Sequence, residues 1–251
     1  MELLPYASSL DEPVLHKAIG LDHLDQSMVT SVVARNAATL VSRPLALFDD
    51  SQCFPMPRGY TLGEHMTGFS LLGAVPWLLS GDPIFTFNAA LLLSLVIAGS
   101  TMFALARHFT GSTAAAFIAG LLFELAPRRI GDPSHPYIQG DLWTPLALLF
   151  VHRLFARSRW RDALGCAVFL SLALFESLYS VVALAVVLGI YGPYTLLRHR
   201  DRSAVVLPKL CVVVITVLLV AFAIFGPYLD TKATCGLLGG RGPVMYSAAQ
   251  Y

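Results

Sequence analysis

The sequence predicts an all-α fold, a polytopic bundle of transmembrane helices, and three observations predict it. Hydrophobic residues make up 56% of the 251-residue chain and charged ones 13%, with a mean hydropathy of +0.66. A soluble domain with so little charge would leave large apolar patches exposed, which monomeric soluble proteins rarely do, so lipid is the better solvent. Apolar runs of helical length recur along the chain, and basic residues gather in alternate connections between them. The formal net charge of +1, with scattered arginines, excludes nucleic-acid binding, which needs a clustered basic surface.

The N-terminal stretch MELLPYASSLDEPVLHKAIG has no basic region followed by an apolar one, so it is not a signal peptide. Met28 to Val41 reads as an amphipathic helix in which Arg35 and Asn36 interrupt the apolar positions. Asp22 and Asp25 precede it, where a helix macrodipole favours negative charge. Glu64 to Ser80 contains Pro76 and only about 15 apolar-biased residues, short of the ~20 that cross a bilayer. It reads as a second helix at the outer interface.

The clearest span is Ile84 to His108, opened by Asp82 and Pro83 as cap and first residue and closed by Arg107, His108 and Gly111. Ser112 to Pro127 follows, with Ala116 and Gly120 spaced to admit a neighbouring helix. Leu142 to Phe155, Ala163 to Phe175, Leu178 to Leu197 and Ala204 to Tyr228 complete a set of about six spans. The division is therefore residues 1–83 as an outer-face region with two interfacial helices, 84–229 as the bundle, and 230–251 as the start of another outer segment.

Lys and Arg favour cytoplasmic connections. Arg107, then Arg153 to Arg161, then Arg198 to Lys209 occupy the connections after the first, third and fifth spans, where only Asp162 and Asp201 represent the acids. This parity predicts a multi-pass protein of the cell membrane whose acid-bearing loops are extracytoplasmic. Cys166 and Cys211 lie in apolar runs and read as buried small hydrophobes, whereas Cys53 and Cys235 fall in outer loops where a disulfide is chemically permitted.

The loop RRIGDPSHPYIQGD, from Arg128 to Asp141, is the densest in chemistry. Asp141 reads equally as a helix cap and the arginines as headgroup anchors, yet paired arginines beside a membrane surface are what a lipid-linked phosphate needs. Glu64 and His65 read either as a helix start or as a site. Glu176 lies between two spans and Glu124 near a helix end, both places where an acid snorkels or faces a functional interior.

The order of these motifs resembles the bacterial GT-C-type membrane glycosyltransferases, multi-span enzymes that use polyprenyl-phosphate-linked sugars. The likeness runs from Leu24-Asp25 through Arg43-Pro44-Leu45, Phe54-Pro55, Gly63-Glu64-His65 and Gly68, then ARHFTG, AAAFIAGLLFELAPRR and Ser134-His135. It implies that Asp25 is the general base that takes the acceptor hydroxyl's proton. It also implies that Arg128, Arg129 and His135 stabilise the departing lipid phosphate and that Glu64 and His65 position substrate. A divalent metal ion, with Glu64, His65 and His135 as candidate ligands, belongs to some family members; no other cofactor is implied. The expected partners are the lipid-linked sugar and the bilayer. Leu24 stands where the family has glycine, and Asp132 where histidine is expected. The family has a span before the aspartate motif and more chain after the last helix, so the resemblance implies truncation at both ends, an inactive fragment included. The rival readings are a transporter or lipid flippase and a non-catalytic scaffold subunit.

Overall fold

A computed structural model describes residues 23–49, 58–137 and 141–235, and among them every regular element is a helix. The helices are α1 (His23–Ser42), α2 (Thr67–Ser80), α3 (Pro83–Thr110), α4 (Thr113–Glu124), α5 (Pro127–Ile130), α6 (Thr144–Arg157), α7 (Trp160–Glu176), α8 (Leu178–Arg198) and α9 (Ser203–Cys235), with short 3-10 turns between some of them. The all-α bundle expected from sequence is the fold observed.

Local chemistry sets several helix ends. The Asp82 carboxylate accepts from the Phe85 amide at 2.7 Å and Pro83 opens α3, while Gly111 closes it at φ 69°, a conformation that costs glycine nothing. Ser112 and Ser177 cap α4 and α8 through the amides of Ala115 and Ser180. Two cores result. One joins α1, α2 and α3 through Val29, Val33, Phe69, Phe87 and Leu91; the other joins α6, α7 and α9 through Leu154, Phe155, Cys166, Val206 and Val213.

Among the described residues, three segments are long and apolar enough to cross a membrane: α3, α8, and α9 with the turn before it. Their outward residues, among them Val96, Val186, Ile190, Leu218 and Phe222, are exposed, a surface far larger than water tolerates and suited to lipid. The other expected spans are shorter. α4, α6 and α7 have 12, 14 and 17 residues, fewer than the ~20 that a hydrocarbon core requires.

That shortness has a geometric consequence. α4 packs antiparallel to α3 through small residues: a Cβ on Gly120 would lie 2.8 Å from the Gly99 carbonyl, and one on Gly99 would lie 2.6 Å from the Glu124 carboxylate. α4 thus ends level with Gly99, with about 24 Å of α3 still beyond it. The Leu142 carbonyl accepts from the Thr101 hydroxyl at 2.7 Å, so the α5–α6 connection returns at the same level. The polar connection from α4 to α6 therefore lies partway along α3 and not at its N-terminal end.

α2 does not run along α3. Phe69 meets Phe87, with ring centroids 5.9 Å apart, and Gly73 meets Thr86, so α2 advances a full turn while its contact on α3 barely moves. The two helices cross. On α1 the two residues that interrupt the apolar positions find partners within the protein. Arg35 donates to the carbonyls of Leu47 and Asp49, and the buried Asn36 amide donates to the Tyr60 hydroxyl, to the His65 carbonyl at 3.0 Å and to Ser70 at 3.3 Å. α1 also begins early enough to contain Asp25 in its first turn instead of following it. Cys166 is buried, but Cys211 lies exposed on the outward face of α9, contrary to expectation. Cys53 and the side chain of Cys235 lie outside the described residues, as do Asp22 and the chain before it.

The two ends of the bundle differ in charge. Around one end His108, His152, Arg153 and Asp162 come together, and Arg202 donates to the Ala156 carbonyl. At the other, Arg58 pairs with Asp230, Arg129 with Asp141, and Glu64 meets the start of α8. The alternate basic connections read from sequence therefore share one end.

Candidate functional site

The acid-bearing end is organised around the α7–α8 junction, where an extended Ser177 breaks the helix and leaves the first amides of α8 unpaired within it. Glu64 fills that gap, its carboxylate accepting from the Leu178 amide at 3.0 Å. Burial raises the Glu64 pKa and the Leu178 hydrogen bond opposes the rise. His65, fully buried, accepts from the Thr67 amide through Nδ1 at 3.2 Å, while Tyr60 donates to its carbonyl at 2.6 Å. Its ring packs edge-on to Tyr228, whose hydroxyl donates to the Gly63 carbonyl at 3.0 Å. Burial lowers the His65 pKa to about 4, so the imidazole is neutral near pH 7.

The segment 58–66 is thus clamped between α1, the end of α7 and the far end of α9. Thr61 donates to Thr231 at 2.8 Å on the α9 side. On the α7 side, Gly68 approaches so closely that a Cβ would stand 2.8 Å from the Phe175 carbonyl.

On the other side of the junction stands Glu176, 2% exposed and just past the apolar run 163–175. It accepts from the Trp143 amide at 3.0 Å. Burial lifts its pKa to about 8; the Trp143 bond, Arg129 and Ser180 pull it down, and the nearby Asp141 pushes it further up. Arg129, 4% exposed, lies over the Phe123 ring with its carbon 4.6 Å from the centroid and pairs with Asp141. A carboxylate, a guanidinium and a neutral acid are held side by side, an arrangement that low-dielectric surroundings make strongly coupled.

His135 closes the group. Its Nδ1 lies 2.9 Å from both carboxylate oxygens of Asp132, the residue standing where a histidine was expected. Its ring meets Tyr137 at 5.7 Å, and Tyr137 in turn faces Tyr179 at the start of α8, at 6.5 Å.

Of the residues singled out from sequence, Glu64, His65, Arg129 and His135 are connected through the α7–α8 junction, by direct contacts or through one or two intermediates. Asp25 lies in α1 and Arg128 in α5, but their side chains fall outside the described ones. The expected metal set of Glu64, His65 and His135 is not brought together. Among the described residues no three His, Cys, Asp or Glu side chains form a group that could hold a metal ion, because Glu64 is spent on the Leu178 amide and His135 on Asp132. Arg129 meets Asp141 and is not a bare guanidinium. Sequence reasoning left Glu176 and Asp141 open and assigned neither a role; the signal for Glu176 was an acid between two apolar runs.

Glu176 carries a pH prediction. Its pKa is raised in the folded chain from an ordinary 4.5, so its contribution to stability is complete below that value and is lost as pH rises through about 8. Thermal unfolding in detergent should show the chain losing stability between pH 5 and 8.5, and Glu176→Gln, an amide that mimics the neutral acid, should flatten that slope. An unchanged slope would place the titrating group elsewhere.

Compared with known proteins, no family model, no curated protein and no solved structure matches this chain.

Proposed function

We propose that the chain is a GT-C-like membrane glycosyltransferase that moves a sugar from a polyprenyl-phosphate carrier to an acceptor on the extracytoplasmic face of the cell membrane. The observation that carries this reading is the gathering of Glu64, His65, Arg129, Asp141 and Glu176 at one level inside the bundle. That level is where α4 and α6 stop short of α3 and α9, so a lipid-borne headgroup could reach it from the bilayer.

In this reading the acceptor oxygen attacks the anomeric carbon, its proton passes to Asp25, and the bond from that carbon to the phosphate oxygen breaks. Polyprenyl phosphate departs with the electron pair. Arg128 and His135 stabilise the charge developing on it, and Arg129 contributes through the field it shares with Asp141. A neutral Glu176 beside that pair keeps net negative charge low where the phosphate must sit.

The test supplies radiolabelled lipid-linked sugars to membranes containing the chain or its Asp25→Asn variant. Transfer by the parent and a loss of about 100-fold in the variant are expected. Equal transfer by both removes Asp25 as base, and uptake into proteoliposomes without covalent product would replace the enzyme reading with a transporter.

A further inference from the structure

Two buried polar side chains near the start of α1 take no part in the contacts described above. Gln26 and Thr30 are 2% and 7% exposed, yet among the described residues neither the Gln26 Nε2 nor the Thr30 hydroxyl has a hydrogen-bond partner. Buried polar groups are nearly always paired, and an orphan costs the folded chain its full desolvation unless something from outside the protein meets it. Here two orphans stand four residues apart on one helix, a spacing that makes them neighbours with Cβ atoms ~5–6 Å apart. One ligand can therefore reach both.

The chemistry of this pair is neutral. An amide and a hydroxyl each donate and accept, and the helical arc they share continues through Val29 and Val33, both fully buried. Arg35, further along α1, is committed to the carbonyls of Leu47 and Asp49, so it offers an anion no counter-charge. Two uncharged groups side by side, each able to give and take a hydrogen bond, match neighbouring hydroxyls on a sugar ring. Their position fits as well. Asp25, the base of the proposed transfer, precedes Gln26 in the same turn, and Val29 and Val33 belong to the core against which Tyr137 packs, whose ring meets His135.

We infer that Gln26 and Thr30 form the acceptor subsite, where they hold neighbouring hydroxyls of a carbohydrate acceptor. That the bound carbohydrate is an acceptor rests on the sugar-transfer reading; that these two residues bind it does not.

Saturation-transfer NMR on the full chain, in a detergent without a sugar headgroup and without any lipid-linked donor, tests this with the methyl glycosides of glucose, galactose and mannose. At least one should bind, and Gln26→Met and Thr30→Val should each weaken its affinity about fivefold, the loss of one hydrogen bond. Ser31→Ala, which removes an exposed hydroxyl bonded to the Ser27 carbonyl of the same helix, should change nothing. Thermal unfolding without glycoside separates binding from a structural role: replacing an orphaned group by an apolar one of similar size should leave the unfolding temperature as high or higher. A lowered temperature would mean that the protein or a fixed water already satisfies the group, and would overturn the subsite. So would binding of no glycoside, or equal binding by parent and variants. Binding through these residues with no transfer of radiolabelled sugar would sink the transfer reading alone, whereas transfer undiminished in both variants would sink the subsite alone.

Discussion

Replacing Arg129 with methionine is expected to cost the folded bundle about 3 kcal/mol, toward the lower end of what breaking a buried ion pair costs. The guanidinium is 4% exposed and is the cation paired with Asp141, which stands close enough to Glu176 to raise its pKa. Removing it takes the counter-charge of Arg129 from a carboxylate that stands beside an acid burial already holds toward its neutral form. Asp141 is 34% exposed, so solvent screens part of the penalty and the upper end of the range is not reached. Methionine retains a flexible, polarisable side chain over the Phe123 ring, so lost packing contributes little and the effect is electrostatic. Thermal unfolding in detergent should show a smaller deficit at pH 5 than at pH 8, because protonating the acids removes the uncompensated charge. The double replacement Arg129→Met with Asp141→Leu should recover much of the loss. A single variant as stable as the parent at pH 8 would mean that Arg129 does not hold this pair together.

The helical bundle was legible in the sequence because its signals are local: apolar runs, the Asp82-Pro83 start, the Gly111 stop, and the separation of basic from acidic connections. Span length was less legible. Hydropathy registers that residues 112–127 and 142–155 are apolar, but whether a run crosses a bilayer or stops inside a bundle depends on neighbours such as Gly99 and Thr101, which bring its end to a halt partway along α3. The site divides in the same way. Glu64, His65, Arg129 and His135 stand out as polar residues in loops between apolar runs, whereas the roles of Asp141 and Glu176 depend on partners 12 and 33 residues away. A carboxylate at the end of a span looks the same in sequence whether it snorkels to a headgroup or meets the Trp143 amide. The family resemblance likewise suggested a shared metal for Glu64 and His135, while folding gives each a separate partner.

Gly68 is where the site depends most directly on the absence of a side chain, and Gly68→Val is expected to destabilise the chain by about 3 kcal/mol, the upper part of the overpacking range. The Cβ would meet the Phe175 carbonyl oxygen at 2.8 Å, its carbon at 2.9 Å and the Glu176 amide at 3.0 Å. All three are backbone atoms, so no rotamer change relieves the contact; either α2 lifts away from α7 or the end of α7 moves. Each movement reaches the site. Lifting α2 draws Glu64 from the Leu178 amide, and shifting the end of α7 draws Glu176 from the Trp143 amide. Hydrogen exchange should therefore accelerate at Leu178 or Trp143, in addition to a lowered unfolding temperature. Gly63→Ala is the control, since a Cβ there meets nothing within 4 Å and the change should be nearly silent. If Gly68→Val left both amides protected, the close approach of α2 to α7 would not be what holds segment 58–66 against the junction, and that task would fall to the Thr61–Thr231 and Tyr228–Gly63 hydrogen bonds from α9.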